Sequence, residues 1–425
     1  MSRLLRFGLN RTWMARRLAL ATLASLGGLV AVFASCATND DAELSRDPEH
    51  ATVPEASVPE QQVDASEDVA VVDAGCDAAD PTCTAHVVTC DEVDWCGVDS
   101  GVNPLYILKA VWGSGKNDVW AVGSGGAVTH YDGTKWTVIP TGIKNTFVGV
   151  WGSGPNDVYV IGSSSDIVLH ATGTGDGTAS IWTSIPTPAA GAYTAPLYAI
   201  WGTSASDVRI AARAHSLPGV NGHTGHMFLR KDVDGGVGWQ SVAGNSFYTR
   251  GLWGSSASDV WQIGDNNGFE RAKTMHGVPR ATPYDAGAGY VDPLEWTAVD
   301  SQANVVLDAI WGSSANDVWT VGSSGTVRHI TQNDYRWEPV TVPTTQNLHA
   351  VWGTGPSDVW MVGDSGTILH YDGTSFKDAS AQFPLGRKPN LYGIWGSGPD
   401  DVWIVGDAIT LHYTGPKAGP QGGGQ

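Results

Sequence analysis

Basic residues are scarce in this sequence. Lys and Arg number 24 against 43 Asp and Glu, which gives a formal net charge of -19. Nucleic acid and anionic lipid headgroups attract basic surfaces, so both are poor partners and no nucleic-acid partner is predicted. Charged residues of both signs make up only 16% of the chain. This disfavours long solvated helices and favours many short strands joined by tight turns.

Long apolar runs are also lacking, with one exception at the start of the chain. The first 17 residues carry five Arg and no acid, and they lead into the apolar stretch 18–35. Residues 1–35 are therefore predicted to be a secretory signal rather than part of a fold. Arg16-Arg17 leaves twin-arginine export as an alternative, although a basic start alone explains the pair.

The apolar run ends in Phe33-Ala34-Ser35-Cys36. Small residues before a single Cys resemble the bacterial lipobox, which implies diacylglycerol attachment at Cys36 and cleavage before it. An uncleaved anchor and plain secretion remain the alternatives. Ala37, rather than Asp, follows the Cys, and this favours the outer membrane. Lipidation would hold the exported protein at the membrane by its acyl chains alone.

Aromatic residues are missing from residues 36–75, which are rich in Asp, Glu, Ala and Pro. Such a segment cannot bury enough apolar surface to offset the entropy of ordering, so an acidic disordered tether is predicted. The Gly- and Pro-rich residues 416–425 are predicted to be a disordered tail on the same ground.

Cysteine is absent after residue 96. Apart from Cys36, the chain has Cys76, Cys83, Cys90 and Cys96. An even number in an exported chain predicts two disulfides, with three pairings open. Zinc is the weaker alternative, because the C-x2-C pairs of structural zinc sites are missing.

From residue 105 onward the sequence repeats. The string W-G-[ST], followed by Asp-Val six residues after the Trp, occurs seven times at intervals of 39 to 58 residues. Each unit alternates polar and apolar residues in the manner of strands and has turn signals between them. The pattern predicts an all-β chain, a seven-bladed β-propeller with four-stranded antiparallel blades over residues 101–415. The repeated tryptophans are Trp112, Trp151, Trp201, Trp253, Trp311, Trp352 and Trp395.

The last unit has sequence for only three strands. Trp95 lies 17 residues before Trp112, a spacing typical of the fourth-strand aromatics of the other units. The segment around Trp95 is therefore predicted to close the ring as the outer strand of the last blade. Residues 76–100 become a Cys-rich lead-in to that strand.

Several apparent motifs have simpler explanations. Asp364-Ser365-Gly366 resembles the surroundings of a serine nucleophile, but sibling units have turn residues at the same place. The Asp before Val recurs in all seven units and is predicted to cap turn amides. A third-strand His recurs in five units and is predicted to bond a neighbouring blade. Those histidines are His130, His170, His329, His370 and His412.

Departures from the repeat are the better guide to a site. The third unit has Arg209 in a Trp position and an apparent long loop after strand two. The loop before that unit is lengthened and contains Tyr193, and the fourth unit has an insertion at 275–295. The candidate ligand- or partner-binding residues are Tyr193, Arg213, His215, His223 and His226. Variable surface loops are the plainer explanation, and metal binding by the three His is a weaker alternative; no metal and no cofactor are predicted.

The string W-G-S-x-x-x-D-V-W-x-V-G-x-x-G-x-x-x-H-Y-D-G resembles tryptophan-rich propeller repeats found in lipoproteins of myxobacteria and related bacteria. More loosely, it is similar to the sialidase-type and kelch-like propellers. The resemblance covers about residues 93–415 and implies the fold, but no activity. The S-x-D-x-G-x-x-W order of the sialidase Asp-box is not matched.

These observations favour a lipid-anchored envelope propeller, a monomer without catalytic residues, that binds a protein or polysaccharide. A propeller glycosidase or polysaccharide lyase is the first alternative; it would need paired carboxylates, or His, Tyr and Arg, at the mouth of the channel. A structural or assembly scaffold of the outer membrane is the second.

Overall fold

The computed structural model describes residues 88–163, 167–172, 182–188, 196–216, 223–234, 236–243, 248–265, 271–281, 292–332, 334–384 and 388–417. For residues 213–216, 223–226 and 243 it describes the backbone alone. The predicted signal, the lipidation site Cys36, the tether, Cys76 and Cys83 lie outside these residues. The described part contains 28 strands, three short 3-10 turns and no α-helix. Accordingly, it contains no helix long and apolar enough to cross a membrane.

The strands form seven separate four-stranded antiparallel sheets, the blades of a β-propeller. Blades 1 to 3 comprise β2 (Leu108–Gly115), β3 (Asp118–Gly123), β4 (Val128–Tyr131), β5 (Trp136–Val138); β6 (Phe147–Gly154), β7 (Asp157–Gly162), β8 (Val168–Ala171), β9 (Trp182–Ser184); and β10 (Leu197–Ser204), β11 (Asp207–Ser216), β12 (His223–Val233), β13 (Gly236–Ala243).

Blades 4 to 6 comprise β14 (Tyr248–Ser256), β15 (Asp259–Asp265), β16 (Lys273–Pro279), β17 (Leu294–Asp300); β18 (Leu307–Ser314), β19 (Asp317–Gly322), β20 (Thr326–Ile330), β21 (Glu338–Val340); and β22 (Leu348–Gly355), β23 (Asp358–Gly363), β24 (Ile368–Tyr371), β25 (Phe376–Asp378). Blade 7 comprises β26 (Leu391–Gly398), β27 (Asp401–Gly406), β28 (Ile409–Tyr413) and β1 (Trp95–Gly97). The predicted fold is confirmed.

The ring closes as predicted, through the N-terminal strand. β1 pairs with β28, with Trp95 opposite Tyr413. Trp95 is fully buried, its amide donates to the Ser380 carbonyl oxygen (3.1 Å), and its own carbonyl oxygen accepts from the Gln382 amide (2.9 Å). The closing strand is thus bonded to blades 7 and 6 together. Just before it, Cys90 and Cys96 form a disulfide with Cα atoms 5.1 Å apart.

The core lies between the blades rather than within one centre. The described residues form seven clusters of buried apolar side chains, each combining residues of two neighbouring blades. In one of them Trp120 of blade 1 packs with Phe147 of blade 2, and both are fully buried. Each buried indole removes about 150–250 Å² from water, roughly 4–6 kcal/mol of gross stabilisation.

A repeated polar contact, here called the frame set, links the first three strands of six blades. In blade 1 the Ser114 hydroxyl donates to Asp118 Oδ2 (2.5 Å), and His130 Nε2 lies 2.7 Å from Asp118 Oδ1. The imidazole also stacks on Trp120, with ring centroids 4.2 Å apart. The other frame sets are Ser153–Asp157–His170–Tyr159, Ser255–Asp259–His276–Trp261, Ser313–Asp317–His329–Trp319, Thr354–Asp358–His370–Trp360 and Ser397–Asp401–His412–Trp403.

The frame sets correct two predictions. The repeated His was predicted to bond a neighbouring blade, but it bonds the Asp of its own blade. The repeated Asp was predicted to cap turn amides, but its carboxylate binds mainly a side-chain hydroxyl and an imidazole. A sixth member, His276, lies 17 residues after its Asp, whereas the other five lie 11 to 13 after theirs. This longer spacing hides His276 in the sequence.

Blade 3 keeps only the hydroxyl half of the frame set, in which Thr203 Oγ1 donates to Asp207 Oδ2 (2.7 Å), and it has a buried ion pair in place of the His. Leu229 stands opposite Arg209, where other blades have a His opposite an aromatic residue. The Arg209 guanidinium is 2% exposed, and its Nη1 lies 3.4 Å from Oδ1 of the equally buried Asp292 of blade 4. Arg209, which departs from the repeat, therefore holds two blades together.

Candidate functional site at the channel mouth

Two serine arrangements that suggest catalysis prove structural. Ser365 lies in the 3-10 turn Asp364–Gly366 with φ near 55°, as the prediction of a turn requires. In each frame set, Ser (or Thr) and His bond the same Asp, so no imidazole is placed to take the hydroxyl proton. Neither arrangement can activate a nucleophile.

The predicted site residues of blade 3 lie mainly on strands rather than in a loop. Arg213 and His215 belong to β11, and His223 and His226 to β12; Ala212 pairs with His226 and Ser216 with His223. Their side chains, and the whole of Tyr193, lie outside the described residues, so this site remains a prediction.

The reason for the longer hairpin is a Gly that blade 3 lacks. In blade 1, Gly123 pairs with Leu108 at the end of strand two, and a Cβ there would lie 1.9 Å from the Ile107 carbonyl oxygen. The matching partner of Leu197 is Ala212. Ala212 cannot approach the preceding chain as closely, and β11 and β12 continue their pairing to Ser216 and His223 instead of turning.

A different set of residues surrounds the channel. The first strands of neighbouring blades contact one another all round the ring, so they enclose its axis. Each of these strands has a register shift near its start, which leaves one residue without a partner opposite. We call these seven residues the mouth ring: Lys109, Val148, Tyr198, Arg250, Asp308, His349 and Tyr392.

Contacts across blade boundaries show that five of these side chains form one arc. Arg250 Nη1 lies 3.4 Å from Asp308 Oδ1, and His349 Nδ1 lies 3.9 Å from Asp308 Oδ2. The His349 and Tyr392 ring centroids are 5.2 Å apart. Lys109 Nζ lies 3.3 Å from the centroid of the Tyr392 ring, a cation–π contact that bridges the seam between blades 7 and 1.

Three carboxylates at the ends of second strands stand behind the arc; we call them the rim carboxylates. Asp265 Oδ2 lies 2.8 Å from Arg250 Nε. Asp364 Oδ1 lies 2.7 Å from His349 Nε2, and its Oδ2 accepts from the Asn347 amide nitrogen (2.8 Å). Asp407 follows β27 and accepts weakly from the Asn390 backbone amide (3.3 Å).

The mouth perturbs the groups that titrate in it. Burial raises the pKa of Asp308, Arg250 and His349 oppose this, and Asp265 and Asp364 add to it by repulsion. Burial lowers the pKa of Lys109, against the attraction of Asp407. Burial also raises the pKa of Tyr392. Shifts of this kind, caused by desolvation and specific charged neighbours, are typical of functional sites.

The remaining part of the ring is apolar. Val148 of blade 2 and Tyr198 of blade 3 occupy the same register position as the charged residues, and Tyr198 is 39% exposed. The mouth thus combines a charged arc over blades 4 to 7 and 1 with an apolar arc over blades 2 and 3.

A cavity of about 370 Å³ opens beside the charged arc. Its walls include Val98, Tyr106, Phe383, Ala408 and Thr410, so it lies at the seam where the closing strand enters the ring. Leu108 and Ala408, which also line it, adjoin Lys109 and Asp407 in the chain. An apolar side chain of a ligand held at the mouth would find a place here.

The mouth ring also has a signal in the sequence, although a weaker one than the departures in blade 3. Every ring residue stands three positions before a repeated Trp: Lys109 before Trp112, and so on to Tyr392 before Trp395. Around this position the repeat is nearly constant, whereas at it only Tyr occurs more than once. Within the described part of the chain, no group of His, Cys, Asp and Glu is arranged to hold a metal ion.

No protein-family model and no curated protein matches this sequence. Solved structures do. YCF48 from Cyanidioschyzon merolae matches with a TM-score of 0.56 and 16% identity over 75% of this chain and 98% of that chain. A structure of YCF48 bound to D1 peptide matches with a TM-score of 0.54 and 15% identity, over 76% of this chain and 95% of that chain. The WD40 propeller domain of Doa1 matches with a TM-score of 0.55 and 8% identity, over 76% of this chain and 98% of that chain. At these identities the likeness shows the propeller fold.

Proposed function

We propose that this protein is a non-catalytic propeller, monomeric and lipid-anchored through Cys36 at the outer membrane, that binds a segment of a protein partner at its mouth ring. The observation that carries the proposal is the contrast within the repeat. Blades that agree at most positions differ in charge, size and polarity at the position that forms the mouth ring. A scaffold would not require this variation, whereas a binding surface for an asymmetric partner does.

The surroundings of the mouth support binding rather than chemistry. Asp308, Asp364 and Asp265 are each engaged by Arg250, His349 or Asn347. A glycosidase uses a pair of carboxyl groups, one as an acid and the other as a base or nucleophile. Of the four mouth carboxylates, Asp407 alone has a buried oxygen without a partner among the described residues. One of the similar YCF48 structures holds a bound D1 peptide, which is consistent with a protein partner here as well.

Site-specific photo-crosslinking tests the proposal. The crosslinking amino acid p-benzoylphenylalanine replaces Tyr198 in the mouth ring or, as a control, Val278 on β16; the two residues are 39% and 38% exposed. After irradiation in cells, peptides joined to position 198 and not to position 278 would support a partner at the mouth. Equal crosslinking at both positions, or crosslinking only at 278, would contradict it.

The anchor is tested separately. Cells fed an alkyne-bearing palmitate are expected to label the wild-type chain, and Cys36→Ser is expected to abolish the label and release the protein from the membrane fraction. Equal labelling of both chains would show that Cys36 is not the lipid site.

A further inference from the structure

Among the described side chains of the mouth, carboxylates outnumber cations. Four carboxylates lie there, Asp265, Asp308, Asp364 and Asp407, against two cations, Lys109 and Arg250. Arg250 is already shared between Asp265 and Asp308. That leaves Lys109 as the described cation that acts on Asp407.

Asp407 is the least satisfied of these groups. Its Oδ1 atom is buried and accepts no hydrogen bond within the described part of the chain. Lys109 is close enough to attract it, yet the Lys109 ammonium lies over the Tyr392 ring, and no ion pair joins it to a carboxylate of the described residues. A buried carboxylate oxygen without a donor is costly, and a donor from a ligand would remove that cost.

Asp364 and Asp407 converge on one point. The Asn390 backbone amide donates to Asp407 Oδ2 (3.3 Å) and its side-chain nitrogen donates to the Tyr392 hydroxyl (3.5 Å), while Asp364 bonds His349, which packs beside the Tyr392 ring. Burial is the main cause that raises the pKa of Tyr392, and the charges of Asp407 and Asp364 add to it. Tyr392 in turn lies between His349 and Lys109 in the arc. A cationic group near the Tyr392 hydroxyl would thus meet two carboxylates at once.

We propose that the mouth ring binds a partner segment through a lysine or arginine side chain, which enters between Asp364 and Asp407 beside Tyr392. This inference rests on the proposed function, since it names the chemistry of the segment bound there. An ammonium has three donors and a guanidinium five, so either can serve both carboxylates. The apolar arc of Val148 and Tyr198, with the seam cavity, receives the uncharged neighbours of that residue.

The probe is a phage-displayed library of random dodecapeptides, panned on the purified full chain. Selected peptides are then synthesised with the basic residue kept or changed to Gln. We expect the selected sequences to be enriched in Lys and Arg, and the Gln peptides to bind about tenfold more weakly, the loss of roughly one charge-assisted contact. Binding should also weaken as the ionic strength rises.

Protein variants locate the effect. Asp364→Asn and Asp407→Asn keep the side-chain shape and remove one charge each, and we expect each to weaken the basic peptides by about tenfold. Asp378→Asn, an exposed residue of β25, removes the same charge away from the mouth and should leave binding unchanged. Thermal melting of each variant confirms that it remains folded.

The outcomes separate this inference from the proposed function. The inference would be overturned if the selected peptides bind more weakly to Tyr198→Ala but are not enriched in Lys or Arg and bind Asp364→Asn and Asp407→Asn as tightly as wild type. That result would still support a mouth that binds peptides. Selected peptides indifferent to all mouth variants would overturn both. Stabilisation of the protein by CaCl2 without any effect of basic peptides would make the mouth a metal-ion site and would also overturn the inference.

Discussion

The pKa values of aspartates near the two ends of the first strands shift in opposite directions. In the frame set of blade 6, burial tends to raise the pKa of Asp358, but hydrogen bonds from His370 and Thr354 outweigh it and lower the pKa. The same holds for Asp118, Asp157, Asp259, Asp317 and Asp401. At the mouth, burial prevails and raises the pKa of Asp308. The frame sets thus stabilise the charged form of their carboxylates, whereas burial at the mouth destabilises the charged form of Asp308.

The difference follows from where the partners come from. A frame set lies within one blade, so the same solution can be repeated in every blade without interference. The mouth ring is where residues of all blades meet, and seven identical charges there would repel one another. A single charged residue therefore cannot repeat around the ring. Arg250 and Asp308 instead place opposite charges side by side, and the His349 imidazole lies next to Asp308. The polar residues that stabilise the blades and those proposed to bind a partner thus lie at different ends of the first strands.

The largest expected effect comes from removing a frame aromatic. Trp360 is 2% exposed, stacks on His370 at 3.9 Å and meets the edge of Trp95 at 5.1 Å. Trp360→Ala should lower the free energy of unfolding by about 3–5 kcal/mol. Tyr198→Ala in the mouth ring should change it by less than about 0.5 kcal/mol. Chemical denaturation of both variants measures the contrast, and equal losses would erase it.

Replacing the frame carboxylate should lower the free energy of unfolding by a smaller amount. Asp358→Asn keeps the shape but weakens the bonds to His370 and Thr354, so we expect a loss of about 1–3 kcal/mol. The exposed Asp378→Asn serves as the matched control and should cost almost nothing. If both variants unfold at the same denaturant concentration, the frame set contributes nothing to stability.

Acid should remove the Asp358→Asn difference. The folded pKa of Asp358 lies below its unfolded value, near 3.9, so its stabilisation is fully present above that pH and is lost as the pH falls through the folded pKa. The gap in unfolding free energy between wild type and variant should therefore be constant from pH 7 to about 5 and shrink below about 4. A gap that widens in acid would contradict the assigned direction.

Asp308 should show the opposite sign and the smallest change. Its folded pKa lies above the unfolded value, so its favourable contribution is present at low pH and is lost as the pH rises through the folded pKa. Asp308→Asn should then melt at the same temperature as wild type or a higher one at pH 7, with no advantage near pH 3. A clear destabilisation at pH 7 would show that Asp308 belongs with the frame aspartates.

Much of the frame was predictable because it repeats. Seven Trp-Gly motifs predict seven blades, and the missing fourth strand of the last unit predicts the closure at Trp95. His276 escaped because its spacing from Asp259 is longer than in the sibling blades. The bonding partner of the repeated His was assigned to the wrong blade, because spacing does not reveal which Asp a side chain reaches.

The candidate site was harder to predict. Sequence irregularity draws attention to blade 3, where Arg209 breaks the pattern for a structural reason, its ion pair with Asp292. The mouth ring departs from the repeat at only one residue in each unit, so its signal in the sequence is harder to find.

The sequence by itself determined the number of blades, their strand order and the way the ring closes, because these depend on local alternation, turns and a repeated packing residue. Only the tertiary structure decided which polar groups meet. Lys109 and Tyr392 are almost three hundred residues apart and touch because the ring closes between blades 7 and 1. Electrostatic interaction depends on distance in space and on burial, and neither is written in the order of the residues.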